Sequence, residues 1–220
     1  MTYNDIEKKF CVKFPKKFHE ICESGAMEWA ECGKDVFDER KNEFINDPSA
    51  FMMINADCEP IMTDDYEEYL NWFDEIKKLG EEYENVTLDT KYNYVPFAFT
   101  AGGDIYCFVY ENDNEPFIIR LFHDEADYEY YGKDFDEFLY AAMLDAAASS
   151  LYDEEEYKNQ TWIKHLDYIS EEYRVLLENT EFSSAEEAEN EWSKIIDRER
   201  PEIWVAINYT GEQKKFAHSV

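Results

Sequence analysis

Long apolar runs are missing from this sequence. No stretch of about 18 apolar residues occurs, so no membrane-spanning helix is expected. The opening, Met1-Thr2-Tyr3-Asn4-Asp5, lacks a basic stretch leading into an apolar one, which argues against a signal peptide. Paired cysteines are missing too. The five cysteines, Cys11, Cys22, Cys32, Cys58 and Cys107, are odd in number and form no C-x-x-C. A disulfide framework or a zinc site is therefore not expected. Cys11, Cys22 and Cys107 lie in apolar stretches and read as buried small hydrophobes. A reducing, cytoplasmic compartment fits this usage. Basic residues are scarce: 21 Lys and Arg face 52 Asp and Glu, a net charge of -31. Such a chain repels nucleic acid and anionic membranes at long range and attracts cations and basic proteins.

The sequence is also short of catalytic signatures. The four histidines, His19, His123, His165 and His218, never fall at H-x-x-x-H spacing. His123-Asp124 alone falls short of the three or four ligands that a closed metal site needs. No G-x-S-x-G elbow is present. Ala101-Gly102-Gly103-Asp104 has neither a dinucleotide fingerprint nor a P-loop around it, and reads as a hairpin turn. Glu111-Asn112-Asp113-Asn114 has oxygen ligands but lacks the glycine and closing glutamate of a calcium loop, and reads as a polar turn. Cys22 and Cys107 have no positioned histidine to activate them. The carboxylates are too many for a catalytic pair to stand out. The expectation is a protein that is not an enzyme and has no metal and no cofactor.

What is present is material for a core. The chain is 45% hydrophobic and 17% aromatic, with 17 Tyr and 16 Phe, far more than a disordered acidic chain carries. A single domain of 220 residues buries roughly 70% of its unfolded surface. Ile6 and Phe10 predict a first helix behind Thr2 or Asn4 as caps. Pro15, at the first helical position, opens a second with Phe18, Ile21 and Cys22 on one face, ended by Gly25. Residues 26–48 show loose helical spacing up to Asp47-Pro48. Phe51 to Ile54 reads as a short strand. Thr63-Asp64-Asp65 then caps an acidic helix, with Tyr66, Leu70, Phe73 and Ile76 along one side and Leu79-Gly80 at its end.

The centre reads as an antiparallel meander: Tyr94–Thr100, Asp104–Tyr110 and Phe117–Phe122, apolar at nearly every position and so covered on both faces. Asp134 caps a further helix with Glu137 at the capping-box position, its buried face running from Phe135 to Met143 and fading in Ala146–Ser150. Beyond it, Trp162, Leu166, Ile169, Tyr173 and Leu176 predict an amphipathic helix. Ser183 with Glu186 opens another carrying Ala185, Ala188, Trp192, Ile195 and Ile196. Pro201 breaks that helix, and Ile203–Ile207 predicts a last strand. Asp153 to Glu156 lacks the Gly, Ser and Pro of a flexible linker. There is no internal repeat.

The order of these pieces resembles the SMI1/KNR4 (SUKH) family. Ile6-Glu7-Lys8-Lys9-Phe10 through Phe14-Pro15-Lys16-Lys17-Phe18, then Ile21 and Gly25, is similar to the family's opening pair of helices. Val95-Pro96-Phe97-Ala98-Phe99, the Ala101-Gly102-Gly103-Asp104 turn and Ile105-Tyr106-Cys107-Phe108 look like its core hairpin. Phe117 to Asp124 resembles the third strand, and Asp134-Phe135-Asp136-Glu137-Phe138-Leu139 the closing helix. The resemblance covers about 1–148. It implies an α+β fold, a central antiparallel sheet flanked by helices. Residues 149–220 lie outside the resemblance; their own pattern, two helices and a last strand, reads as a mainly helical C-terminal α/β extension packed on that core as a single structural unit.

The resemblance also implies a protein-binding function without catalytic residues. Many bacterial members are thought to be immunity proteins for polymorphic toxins, often nucleases; fungal relatives are linked to cell-wall synthesis and signalling. The expectation is therefore an immunity protein that neutralises a basic toxin domain by direct binding, in the cytoplasm, without direct contact to nucleic acid or membrane. A regulatory scaffold with no toxin partner is the alternative. Candidate partner-binding patches are Asp64, Asp65, Glu67 and Glu68, and separately Asp153, Glu154, Glu155 and Glu156. Each competes with the plain reading of a solvated charged face.

Overall fold

The computed structural model of the chain describes residues 1–47, 49–51, 58–112, 114–150, 167–179 and 185–207. Helices α1 (Tyr3–Phe10), α2 (Lys16–Glu23), α3 (Glu28–Glu31) and α4 (Lys34–Asn46) lead to a short strand β1 (Glu59–Pro60) and the acidic helix α5 (Tyr66–Leu79). Strands β2 (Val86–Leu88), β3 (Asn93–Phe99), β4 (Ile105–Tyr110), β5 (Phe117–Leu121) and β6 (Tyr128–Gly132) follow, then α6 (Phe135–Ser150), α7 (Glu171–Asn179), α8 (Ala185–Ile196) and β7 (Trp204–Ala206). Five strands form one antiparallel sheet in the order β1-β3-β4-β5-β6, and β2 pairs with β7 in a small second one. This is the α+β fold expected.

Alternation along β4 explains why the sheet is covered on both sides. Tyr106, Phe108 and Tyr110 join the core beneath α1, α2 and α6, while Ile105, Cys107 and Val109 join a second core with Phe73 and Ile76 of α5 and with Ile203 and Trp204. On the first side Phe97 stacks on Phe108 with centroids 4.1 Å apart, and Phe18 and Phe135 meet Phe108 edge-on. Pro96 sits inside a central strand, where its missing N–H would normally break the ladder. A register shift between Pro96 and Ala98 absorbs it, and the Pro96 carbonyl accepts from the Tyr66 hydroxyl at 2.8 Å.

Helix ends follow local chemistry. Thr2 and Asp5 form a capping box on α1. Asp134 caps α6, its carboxylate 2.9 Å from the Glu137 amide. Glu137 does not reach back to the cap itself; it accepts from the Lys133 amide at 2.8 Å. Pro15 stands one place before α2 rather than inside it, and Gly25 follows that helix with φ +85°. Gly80 does not end α5: the chain continues through a π turn, Gly80–Glu84, and is stopped by Asn85 at φ 59°. Gly80 is required there for packing, because a Cβ would lie 2.8 Å from Trp204 Cζ3.

Other expectations are corrected. Cys11 is exposed, because it closes α1 in a left-handed conformation (φ 55°); Cys22 is half-buried, and Cys107 is buried as expected. Phe51 is buried but lies outside any strand, and Met52 to Ile54 fall outside the described residues. Trp162 and Leu166 also fall outside them, as does Ser183. Ile169, just before α7, and Leu177 within it are buried, Tyr173 is partly buried, and Leu176 is 46% exposed. A turn at 167–169 precedes α7, and the Ser170 carbonyl accepts the Arg174 amide in the helix's first turn. The last strand, β7, forms as expected, with Thr87 opposite Val205.

Candidate protein-binding groove

Of the two acidic patches, Asp153 to Glu156 lies outside the described residues. The other sits at the start of α5, and the structure divides it. Asp64 accepts from the Lys34 amide at 3.2 Å and lies 3.9 Å from the N-terminal ammonium of Met1. Asp65 pairs with Lys34 at 3.7 Å, and Glu67 with Lys9 at 2.6 Å. Glu68 has no cation beside it among the described residues. Three of the four carboxylates are therefore used to dock α5 onto the N-terminal helices. The fourth is left facing solvent.

Glu68 stands at the rim of a groove of about 520 Å³ between α5 and the turn joining β3 to β4. Tyr69 and Phe99 line it, their ring centroids 4.5 Å apart, together with Glu75 of α5 and with Ala101, Gly102 and Gly103 of the turn. Trp72 is 40% exposed, and its indole N–H donates to the Gly103 carbonyl at 2.7 Å. Helix and hairpin are thus tied together across the groove.

The hairpin wall is itself held rigidly. Gly103 has φ +104°, a conformation that disfavours side chains. The Asp104 amide donates to Thr100 Oγ1 at 3.0 Å, and the Thr100 amide to the Asp104 carbonyl at 2.9 Å. The Asp104 carboxylate meets both the backbone amide and ring Nδ1 of His123, at 3.1 and 2.7 Å. Arg120 lies behind it at 3.9 Å and pairs with Glu129 at 2.5 Å. His123 is thus a hydrogen-bonding group at a strand end. Among the described residues no cluster of His, Cys, Asp and Glu is arranged for a metal ion.

The groove carries two carboxylates and no Lys, Arg or His in its lining. Burial raises the Tyr69 hydroxyl pKa, and the charges of Glu59, Asp65 and Glu68 raise it further, so the local field is negative. Burial likewise raises the Glu59 carboxyl, against the pull of Lys41. Charge counting finds Glu68 but misses Tyr69, Trp72, Glu75 and Phe99. One signal was available for Trp72: it lies just off the apolar stripe of Tyr66, Leu70, Phe73 and Ile76, and so projects from the polar side of an amphipathic helix.

The family model described as SMI1 / KNR4 family (SUKH-1) matches residues 3–141. Domains of that family typically interact with proteins and are generally non-enzymatic. No curated protein and no solved structure matches the chain. Helix pair, bulged hairpin, third strand and the start of the closing helix fall inside the matched residues, which make up well over half of the sequence. The chain therefore belongs to the SMI1/KNR4 (SUKH-1) family.

Proposed function

We propose that this chain is an immunity protein that neutralises a basic bacterial toxin domain by direct binding in the cytoplasm. The observation that carries this reading is the groove of α5 and the β3–β4 hairpin: exposed aromatic surface rimmed by Glu68 and Glu75, without a basic residue in its lining, on a chain of net charge -31. Such a surface suits a partner whose working face is cationic, as the face of a nuclease is. Complementary charge raises association rates from about 10⁵–10⁶ M⁻¹s⁻¹ toward about 10⁸ M⁻¹s⁻¹ at low salt, which favours an inhibitor that must act before its target does. In this reading residues 1–148 are the binding core. The segment from 149 to 220 is an extension that braces it through Arg198 and Trp204.

The test is co-expression with the C-terminal domain of the large secreted protein encoded nearest this gene. Rescue of growth, with a complex that weakens as salt rises, is the expected result. Killing in the presence of abundant folded protein, repeated across neighbouring candidates, overturns the immunity reading in favour of a regulatory scaffold.

A further inference from the structure

We propose that the groove between α5 and the β3–β4 hairpin receives one arginine side chain of the partner, its guanidinium stacked on the Trp72 ring and paired with Glu68. The partner's basic character rests on the immunity reading. The choice of arginine rests on the groove. Because the indole N–H of Trp72 is already bonded to Gly103, the ring offers its π surface rather than a hydrogen bond. That bond also fixes the ring before anything arrives, which lowers the ordering cost of binding. A π surface beside an unpaired carboxylate favours a cation, and a planar, weakly hydrated guanidinium stacks on such a ring better than an ammonium does.

The charges around the groove point the same way. Asp65 and Glu67 have lysine partners within the chain, whereas Glu68 has none among the described residues. Glu75 pairs with Lys78 at 2.5 Å, but both side chains are more than half exposed, so that pair exchanges readily with solvent or with a second cation. Burial raises the Tyr69 hydroxyl pKa, and Glu59, Asp65 and Glu68 raise it further, so the potential at this wall of the groove is negative.

The experiment titrates the full chain calorimetrically with hexa-arginine and with hexalysine peptides, at low and at physiological salt. The expected result is tighter binding of hexa-arginine, weakened about tenfold by Trp72→Ala and again by Glu68→Gln. Glu171→Gln, which removes one exposed charge from α7, should leave the affinity unchanged. Glu68→Gln removes no ion pair of the described structure, so it remains a fair test even where Trp72→Ala loosens the hairpin. Equal affinity for the two peptides overturns the proposal. So does an equal loss in the Glu68 and Glu171 variants, which would mark attraction by net charge alone. Co-expression separates this inference from the function: toxin neutralised at wild-type level by Trp72→Ala with Glu68→Gln overturns the groove and leaves immunity standing. Arginine-selective binding by a chain that rescues no toxin supports the groove and overturns immunity.

Discussion

Glu137 on α6 and Glu68 on α5 are both glutamates in the first turn and a half of a helix, beside tyrosine rings. Glu137 is 3% exposed; it takes two hydrogen bonds from Arg198, at 2.9 and 3.1 Å, one from the Tyr173 hydroxyl at 3.1 Å and one from the Lys133 amide. Glu68 stands in solvent with no cation beside it among the described residues. The first joins the sheet-covering helix to residues some sixty positions later. The second is left exposed to solvent. In a chain of 52 acidic residues, abundance of charge therefore says little about function. What separates a structural carboxylate from a binding one is whether the fold has already supplied its partner.

The sharpest way to break this comparison is Glu137→Ala. It leaves the Arg198 guanidinium, the Tyr173 hydroxyl and the Lys133 amide without their shared acceptor. A loss of about 2–3 kcal/mol in urea unfolding is expected, at the low end for a buried pair because Arg198 keeps some solvent contact. A loss under about 1 kcal/mol would mean that Glu137 is no more structural than a surface carboxylate. Next comes Gly80→Ala, which places a methyl group 2.8 Å from Trp204 Cζ3. Its backbone is ordinary helix (φ −58°), so the cost is overpacking alone, about 2 kcal/mol. Near-UV circular dichroism should show the Trp204 environment change while the far-UV signal persists.

Acid sharpens the contrast further. Burial by itself would raise the Glu137 carboxyl, but Arg198, the Lys133 amide and Tyr173 together hold its pKa below the ordinary value. Glu7 behaves alike: burial opposes, and the Phe14 amide at 2.6 Å, Lys13 and His19 prevail. A carboxyl whose folded pKa is depressed contributes stability above its unfolded value, near 4.5, and loses it as the pH falls through the folded one. Stability should therefore drop as the pH falls below about 4.5, and the drop should shrink in Glu137→Gln. An identical acid profile in that variant would assign the transition to other carboxyls.

How much of this was legible in the sequence depends on the range of the interactions involved. Strands β3, β4 and β5 could be read because each carries apolar residues on both faces, and the glycine turn between the first two is a local signal. Strand β6 could not. Tyr128-Glu129-Tyr130-Tyr131-Gly132 looks polar, and only pairing with β5 and the cover of α6 and α8 bury Tyr131. Leu177 rather than Leu176 is buried: both lie within one helical position of the apolar face, and periodicity alone does not choose between such neighbours. For the groove, Glu68 was found as one member of a charge run. Its distinction from Asp65 and Glu67 needed the positions of Lys34 and Lys9, which come from helices folded against α5. Trp72 was visible as an aromatic off the apolar stripe, but its tie to Gly103 spans 31 residues and has no local signature.

The smallest effect on stability, and the finest test of the contrast, is a pair of charge reversals one residue apart. Glu68→Lys disrupts no ion pair of the described structure, so unfolding free energy should stay within about 0.5 kcal/mol of the parent. Glu67→Lys breaks the contact with Lys9, an exposed pair worth about 0–1 kcal/mol, and adds repulsion in its place. Both change the net charge equally, so any long-range field acts on them alike. Stopped-flow mixing with hexa-arginine should nevertheless separate them, with Glu68→Lys slowing association and accelerating dissociation while Glu67→Lys only slows association. Dissociation is the informative limb, because short-range pairing acts there and diffuse attraction does not. If both variants release the peptide at the parental rate, the free carboxylate of Glu68 is no more a binding group than the neutralised one beside it. If only Glu68→Lys releases it faster, the partner's cation occupies the place that the fold left empty.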